Sequence, residues 1–386
     1  MEILFEREID MTRIAFGMMR LPLFDEEDQT SVDFEHVDRM AELCMEKGVN
    51  FFDSAYPYHF GESEKAIKRA VVERYPRDSY IVSDKFPTMI IQEESQLQPI
   101  FDEQLERTGL DYFDYYMVHN VSEFSQHGWK DIDSFSFCKR MKDEGKIKKL
   151  GLSSHAQPKE LDEILNDHPE MEFILLQLNY LDWENESIQS KGIYEVARKY
   201  NLPIFVMEPL KGGILANVPP EAEKLMRDCN GQSPVVWALR YLMGLEGVEV
   251  VLSGASTYEQ LEENIGIFET AEPLNDEEME VIKQVVDIIN NNIAVDCTKC
   301  NYCLDYCPTD INIPKLFEFY NSDNIIGVED WTPVGNAYIN YARTGHPIAS
   351  DCIECEACVN ECPQHLPIPD LLQDVAKHFE TPNNGF

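Results

Sequence analysis

Apolar and polar positions along this chain follow two rhythms. Short, mostly apolar runs recur at 14–18, 50–55, 80–85, 113–118, 148–153, 172–178, 203–207 and 248–252. Between them, apolar residues return every three or four positions, which is the helical period. Residues 33–47 place Val37, Met40, Ala41 and Cys44 on one face, and 95–107 do the same with Leu97, Ile100, Phe101 and Leu105. Strands alternating with helices in this way predict an α/β fold, an eight-stranded (β/α)8 TIM barrel. The structural rival is an open doubly wound sheet. It is disfavoured because no G-x-G-x-x-G follows the first strand. A further amphipathic helix is expected at 275–289, with Met279, Ile282, Val285, Val286 and Ile289 on one side, before Asn290, Asn291 and Asn292 break the pattern. A barrel over 1–292 and a small, mostly helical domain over 293–386 are therefore expected.

In a barrel of this kind, active sites lie at the C-terminal ends of the strands. The second strand ends at Asp53, with Tyr58 close behind; the third ends at Lys85 and the fourth at His119. A carbonyl that accepts a hydride needs a proton for its developing alkoxide, and Tyr58 can donate one. An ammonium beside it, Lys85, stabilises the phenolate. Asp53 fixes and balances Lys85, and His119 can hydrogen-bond the carbonyl oxygen and orient it. Singly, each has a plainer explanation, such as a solvated lysine or a packed histidine. Their coincidence at successive strand ends favours a catalytic set. The loop 120–131, with Phe124 and Trp129, is expected to face the substrate but carries no ligand-specific signature.

Charge narrows the partners. The formal net charge is −39, from 32 basic and 71 acidic residues, while an apolar content of 44% supports an ordinary core. Such an acidic surface repels phosphate backbones and anionic lipid, so no nucleic-acid partner and no membrane insertion are expected. Met1 to Asp10 lacks the basic-then-apolar pattern of an export signal, and no apolar run reaches the ~18 residues of a membrane span. The expectation is a soluble, cytoplasmic protein acting on a small-molecule carbonyl substrate, with a redox partner protein as a further candidate.

Cysteine changes the picture more. Cys297, Cys300, Cys303 and Cys307 read C-x2-C-x2-C-x3-C with Pro308 next, and Cys352, Cys355, Cys358 and Cys362 repeat this before Pro363. This is the ligand run of two-cluster ferredoxins, in which the fourth cysteine ligates the other cluster. Two 4Fe-4S clusters, each drawing ligands from both runs, are expected. Zinc is the alternative, but zinc pairs seldom show the third close cysteine or the Cys-Pro. Helical patterns at 314–320, 334–343 and 369–379 surround the runs. The tail resembles the helical two-cluster ferredoxin domains of respiratory iron-sulfur subunits, which implies electron transfer; a purely structural staple is the alternative. Cys44, Cys138 and Cys229 are expected to be small core residues on predicted helices.

The first 292 residues resemble the aldo-keto reductase family. Asp53-Ser54-Ala55 with Tyr58, then Gly61-Glu62-Ser63-Glu64, is similar to its D-T-A-x-x-Y…G-x-S-E signature, and Lys85 and His119 match its lysine and histidine. The resemblance implies NAD(P)H as hydride donor and a carbonyl substrate. It also implies coenzyme contacts from Gly17 and Met18 in the first strand, from Ser153 and Gln177 at the carboxamide, and from Met207 at the nicotinamide ring. Gly212 and Gly213 would lie near the pyrophosphate, and Gly254, Gln260, Glu263 and Asn264 in the dinucleotide loop and helix. Gly254 and Gln260 stand where relatives often use Lys and Arg to grip the 2′-phosphate of NADPH, so NADH, or a flavin in the same groove, is an alternative. Three functions follow: a carbonyl reductase of aldo-keto type with iron-sulfur clusters, a flavin- or ferredoxin-linked reductase, and an electron-transfer subunit of a larger redox complex.

Overall fold

The computed structural model describes residues 11–25, 28–122, 125–185, 188–326 and 333–381. The leader reading at Met1–Asp10 and the pocket reading at Phe124 lie outside these residues. Among the described residues, eight parallel strands close in sequence order: β1 (Ile14–Gly17), β2 (Phe51–Asp53), β3 (Ile81–Phe86), β4 (Phe113–Val121), β5 (Ile147–Ser154), β6 (Ile174–Gln177), β7 (Ile204–Met207) and β8 (Val248–Ser253). Every expected apolar run forms a strand. β4 runs three residues further than expected, and its ladder with β5 shifts register between Val118 and Val121, so His119 lies inside the extension.

Strand parity positions the site. Successive side chains on a strand face opposite sides. Ala15, Phe51, Ile81, Met117, Phe173, Leu175, Phe205, Val250 and Leu252 form one buried cluster, with Tyr115 and Met207 packed against it. Two residues on from Phe51, Met117 and Leu175, the same parity presents Asp53, His119 and Gln177; four on from Ile81 it presents Lys85. The apolar layers therefore fill the lower barrel, and polar residues take over at the strand ends. Gly151 on β5 makes room for this packing, since a Cβ there would lie 2.6 Å from the Phe173 ring.

In chain order the helices up to residue 292 are α1 (Phe34–Glu46), α2 (Glu62–Ile67), α3 (Leu97–Thr108), α4 (Ser134–Asp143), α5 (Pro158–Asp167), α6 (Ser190–Lys199), α7 (Pro220–Asn230), α8 (Pro234–Met243), α9 (Tyr258–Thr270) and α10 (Asp276–Asn292). α1 starts where the Asp33 side chain accepts from His36 N, and buries Val37, Met40, Ala41 and Cys44, as its periodicity predicts. α10 opens with a capping box between Asn275 and Glu278. Cys138 is buried, but Cys229 is exposed, contrary to expectation. The buried positions of α7 are Ala222 and Met226; Cys229 continues that face at i+7 but falls in the last turn, where the face is exposed.

By compactness the chain forms two units. One comprises the described residues of Met1–Glu184, Gln189–Pro209 and Leu239–Pro273, and contains the whole barrel sheet. The other comprises those of Asn185–Ile188, Leu210–Ala238 and Leu274–Phe386. In it, the cysteine-rich segment shares a unit with α7, α10 and the turn Lys211–Ala216. Its own helices are α11 (Ile313–Ile326), α12 (Pro333–Arg343), α13 (Ala357–Asn360) and α14 (Ile368–Phe379). Leu316, Phe317, Tyr338, Leu372, Val375 and Phe379 are buried in its core. No helix among the described residues is long and apolar enough to cross a membrane.

Candidate active site and iron-sulfur centre

Asp53 sits between Gly17 of β1 and Ser83 of β3 in the ladder. Its Oδ2 accepts from Lys85 Nζ at 2.6 Å, and its Oδ1 accepts from the Ser83 hydroxyl. Lys85 Nζ also donates to the Ser54 carbonyl at 2.5 Å. Both members of the pair are buried, with side-chain exposures of 1% and 3%. Ser54 reaches Ser63, which in turn donates to the Met18 carbonyl at 2.9 Å, tying β1, β2 and α2 together under the site.

Tyr58 opens a tight turn, Tyr58–Gly61, that runs into α2. His59, Phe60 and Gly61 all have positive φ. Gly61 has φ +88, a backbone conformation that favours glycine. The Lys85 ammonium lies 4.9 Å from the centroid of the Tyr58 ring, and the His119 ring meets that of Tyr58 edge-on at 6.0 Å. The four residues expected to act together thus share one cluster.

His119 is buried, and its Nδ1 has no hydrogen-bond partner. Burial first, and then the charges of Lys85 and His155, hold its pKa well below the usual imidazole value. The ring is neutral at physiological pH. A neutral imidazole carries one N–H, which suits it to donate to an oxygen rather than to act as a charged acid.

A second polar group, not expected from sequence, lies on the opposite face of β3. Asp84 points outward, where it meets Glu64 of α2, which Arg107 Nη1 of α3 contacts at 2.9 Å. Asp84 Oδ2 and Glu64 Oε1 are buried without a hydrogen-bond donor. Burial, mainly, pushes Glu64 up to about 7 and Asp84 well above its ordinary value. One proton shared between the two carboxyls satisfies both. In sequence Asp84 stands only as an acid between Ser83 and Lys85, with nothing that pairs it with Glu64.

The residues expected to bind coenzyme are distributed as follows. Gly17 and Met18 lie beside Asp53, whose carbonyl accepts from Met18 N at 2.8 Å. Ser153 and Gln177 are buried at the ends of β5 and β6, with Gln177 Nε2 donating to Asp182 at 2.8 Å. Met207 is half-buried at the end of β7. Gln260 Oε1 accepts from Ser256 N at 3.0 Å, and Asn264 Nδ2 donates to Ser253 Oγ at 2.9 Å. Glu263 is exposed on α9. Gly254 is adjacent to Arg20, since a Cβ there would lie 3.4 Å from Arg20 Nη1. That guanidinium pairs with Glu208 at 2.7 Å, and the Arg20 carbonyl accepts from Ser256 Oγ. This cation across the ends of β1, β7 and β8 was missed in sequence because Arg20 and Glu208 are far apart in the chain. Gly212 and Gly213 belong to the second unit, both with positive φ. Gly212 faces the Thr298 backbone and Gly213 faces open space.

In the second unit the cysteines part into two cavities. Cys297, Cys300, Cys303 and Cys362 line one. Cys307, Cys352, Cys355 and Cys358 line the other. Each cavity thus takes three thiols from one run and the last cysteine of the other. Among the described residues no three donors converge on a single ion. Four thiols spread around a cavity wall fit a cluster, which is wider than one metal ion.

These geometries can be set beside known proteins. The Aldo/keto reductase family matches residues 13–287. The chain belongs to the aldo-keto reductase family. A 4Fe-4S dicluster domain matches residues 296–366 of this aldo-keto reductase. Among its relatives, an aldo-keto reductase of Mycolicibacterium vanbaalenii is 27% identical, covering 58% of this chain and 75% of that protein. The NADH-specific methylglyoxal reductase of Escherichia coli is 24% identical over 56% of this chain and 78% of its own. The structure of an aldo-keto reductase from Klebsiella pneumoniae in complex with NADPH superposes with a TM-score of 0.57 at 16% identity, covering 72% of this chain and 91% of that one. This reductase is therefore an oxidoreductase on a (β/α)8 barrel with a C-terminal iron-sulfur domain.

Proposed function

We propose that this aldo-keto reductase reduces a small carbonyl substrate with NADH or NADPH. Tyr58 donates the proton, and the cysteines of the C-terminal domain would hold two 4Fe-4S clusters. When bound, the nicotinamide would supply a hydride and the clusters single electrons. The remaining chemistry belongs to the chain. Lys85, held by Asp53 and Ser54, favours the phenolate that Tyr58 leaves behind. Neutral His119 donates to the substrate oxygen and orients it toward Tyr58. The observation that carries the reading is the buried Lys85–Asp53 pair beside the Tyr58 ring and the His119 imidazole.

The coenzyme residues are Gly17, Met18, Ser153, Gln177, Met207, Gly254, Gln260, Glu263 and Asn264. Arg20 supports a dinucleotide phosphate here, since it supplies a cation beside Gly254, where the chain has no Lys. One relative is an NADH-specific reductase and one structural neighbour is in complex with NADPH, so this reading keeps both coenzymes. Cys297, Cys300, Cys303 and Cys362 hold one cluster, and Cys307, Cys352, Cys355 and Cys358 the other. A barrel domain over 1–292 and an iron-sulfur domain over 293–386 are the corresponding assignments in chain order.

Anaerobically purified protein is to be assayed for oxidation of NADH and NADPH with a panel of aldehydes and ketones, and for bound iron, sulfide and flavin. Tyr58→Phe should lower carbonyl-dependent turnover by about 10²–10⁴-fold while leaving coenzyme affinity unchanged. Unaltered turnover in Tyr58→Phe would sink the reading. Stoichiometric flavin, with no nicotinamide binding, would replace it with a flavin-linked reductase.

A further inference from the structure

His59 stands in the chain between Tyr58 and the exposed Phe60, and is itself buried. Both of its ring nitrogens are engaged. Leu21 N donates to Nε2 at 3.1 Å, and Nδ1 lies 2.9 Å from the Gln29 carbonyl oxygen. Nε2 therefore carries no proton, and the Nδ1 proton is donated to Gln29. Burial holds the pKa below the usual imidazole value, against the pull of the Gln29 and Met19 carbonyls, so the ring is neutral at physiological pH. A cationic ring would turn an N–H toward the Leu21 N–H and lose that bond.

Both partners belong to the loop between β1 and α1, 38 and 30 residues before His59. The same loop carries Arg20, whose guanidinium pairs with Glu208 at 2.7 Å and whose carbonyl accepts from Ser256 Oγ at 2.8 Å. The imidazole is thus a direct link between the turn that presents Tyr58 and the loop that presents Arg20. The backbone is held under strain at this link. His59 and Phe60 have φ 51 and 53, two consecutive left-handed positions without glycine. Such a backbone persists where its surroundings over-determine it, and the two ring bonds do so for His59. An apolar ring would fill the same space but leave the buried Leu21 N–H without its acceptor.

We propose that His59 is a positioning residue that joins the Arg20 loop to the Tyr58 turn, so that the cation for the dinucleotide and the phenol for the carbonyl keep fixed places in one site. The inference rests on the roles proposed above for Tyr58 and Arg20. His59 acts through Tyr58, its neighbour in the chain, and through Leu21, the neighbour of Arg20. A misplacement of about 1 Å can cost a reaction about 10²-fold in rate, so a loosened turn is costly.

The full-length parent is compared with His59→Phe, His59→Asn and Tyr58→Phe. Three quantities are read: kcat and KM for the aldehyde or ketone that the parent turns over fastest, the Kd of NADH and NADPH from fluorescence, and the thermal midpoint, which reports folding. His59→Phe keeps a ring without its nitrogens. It should lower kcat by roughly 10–10²-fold with the carbonyl KM near the parent value, and weaken coenzyme binding several-fold. Asparagine tolerates left-handed backbone and keeps an amide N–H for the Gln29 carbonyl. His59→Asn should therefore fall between the parent and His59→Phe in kcat and in Kd, and it carries the comparison alone if His59→Phe does not fold. Tyr58→Phe should lower kcat with coenzyme affinity unchanged. Parental kcat and Kd in the His59 variants, a lowered kcat with parental coenzyme affinity, or His59→Asn no better than His59→Phe would overturn the proposal. Undiminished turnover in Tyr58→Phe would instead overturn the proton-donor role on which the inference rests.

Discussion

Lys85 and Asp53 form a buried pair that bears on stability as well as on the proposed chemistry. Each is almost wholly removed from water, so the desolvation cost of each charge is offset by the other. Lys85→Met keeps the bulk of the side chain but leaves the Asp53 carboxylate buried without its cation. It should destabilise the barrel by about 3–5 kcal/mol, read as a lower urea midpoint. The double variant Lys85→Met with Asp53→Leu should recover much of that stability and none of the carbonyl reduction. A double variant no more stable than Lys85→Met would show that the loss has another source. At this scale much of the site was legible in sequence. Asp53, Lys85 and His119 interrupt apolar strands at their ends, where an ionisable group has no ordinary packing reason to be. Arg20 and Glu208 were not legible, since neither lies in a strand and only closure of the barrel brings β1 and β7 loops together.

At the scale of elements, the buried acids Glu64 and Asp84 fasten α2, β3 and α3. Strand parity explains why Lys85 was legible and Asp84 was not. Adjacent residues on a strand face opposite sides, so Lys85 joins the site while Asp84 enters the layer between sheet and helices, where a single apolar run gives no warning of an acid pair. The pair has a pH signature. Glu64 is raised to about 7 in the folded protein, against an ordinary value of 4.5, chiefly by burial. The folded state therefore favours the proton. The resulting stabilisation is complete below about pH 4.5 and is lost as pH rises through about 7. Glu64→Gln removes this titration. The thermal midpoint of the parent relative to Glu64→Gln should fall between pH 5 and pH 8, as Glu64 loses its proton. A difference that stays constant over that range would mean that Glu64 is already ionised at pH 5. The same parity argument explains why the strands were legible and their limits less so: apolar runs define β1 to β8, but the extra residues of β4 depend on a register shift against β5 that no single run encodes.

At the scale of the whole molecule, the chain joins a barrel whose site suits hydride chemistry to a domain whose thiols suit one-electron carriers. Spacing alone marked the two cysteine runs as candidate ligands, and the structure gathers them around two cavities. The helices around them were legible in position but shorter than observed, since the expected 314–320 is the first half of α11 (Ile313–Ile326). What spacing could not give was the assortment of α7, α10 and the turn Lys211–Ala216 with the cysteine-rich unit, because that depends on contacts between segments remote in sequence. The crossing of ligands between runs offers a direct test of how the domain is built. Cys362 lines the cavity of Cys297, Cys300 and Cys303, although it closes the other run. Cys307 correspondingly lines the cavity of Cys352, Cys355 and Cys358. Serine in place of Cys300 should alter one paramagnetic signal of the reduced protein, and serine in place of Cys355 the other. Cys362→Ser should then alter the Cys300 signal, and Cys307→Ser the Cys355 signal. Each run would thus be unable to complete its own cluster, and assembly of either centre would require both arms of the domain to fold together. Cys362→Ser acting on the Cys355 signal instead would mean that each run closes on itself, as two independent centres.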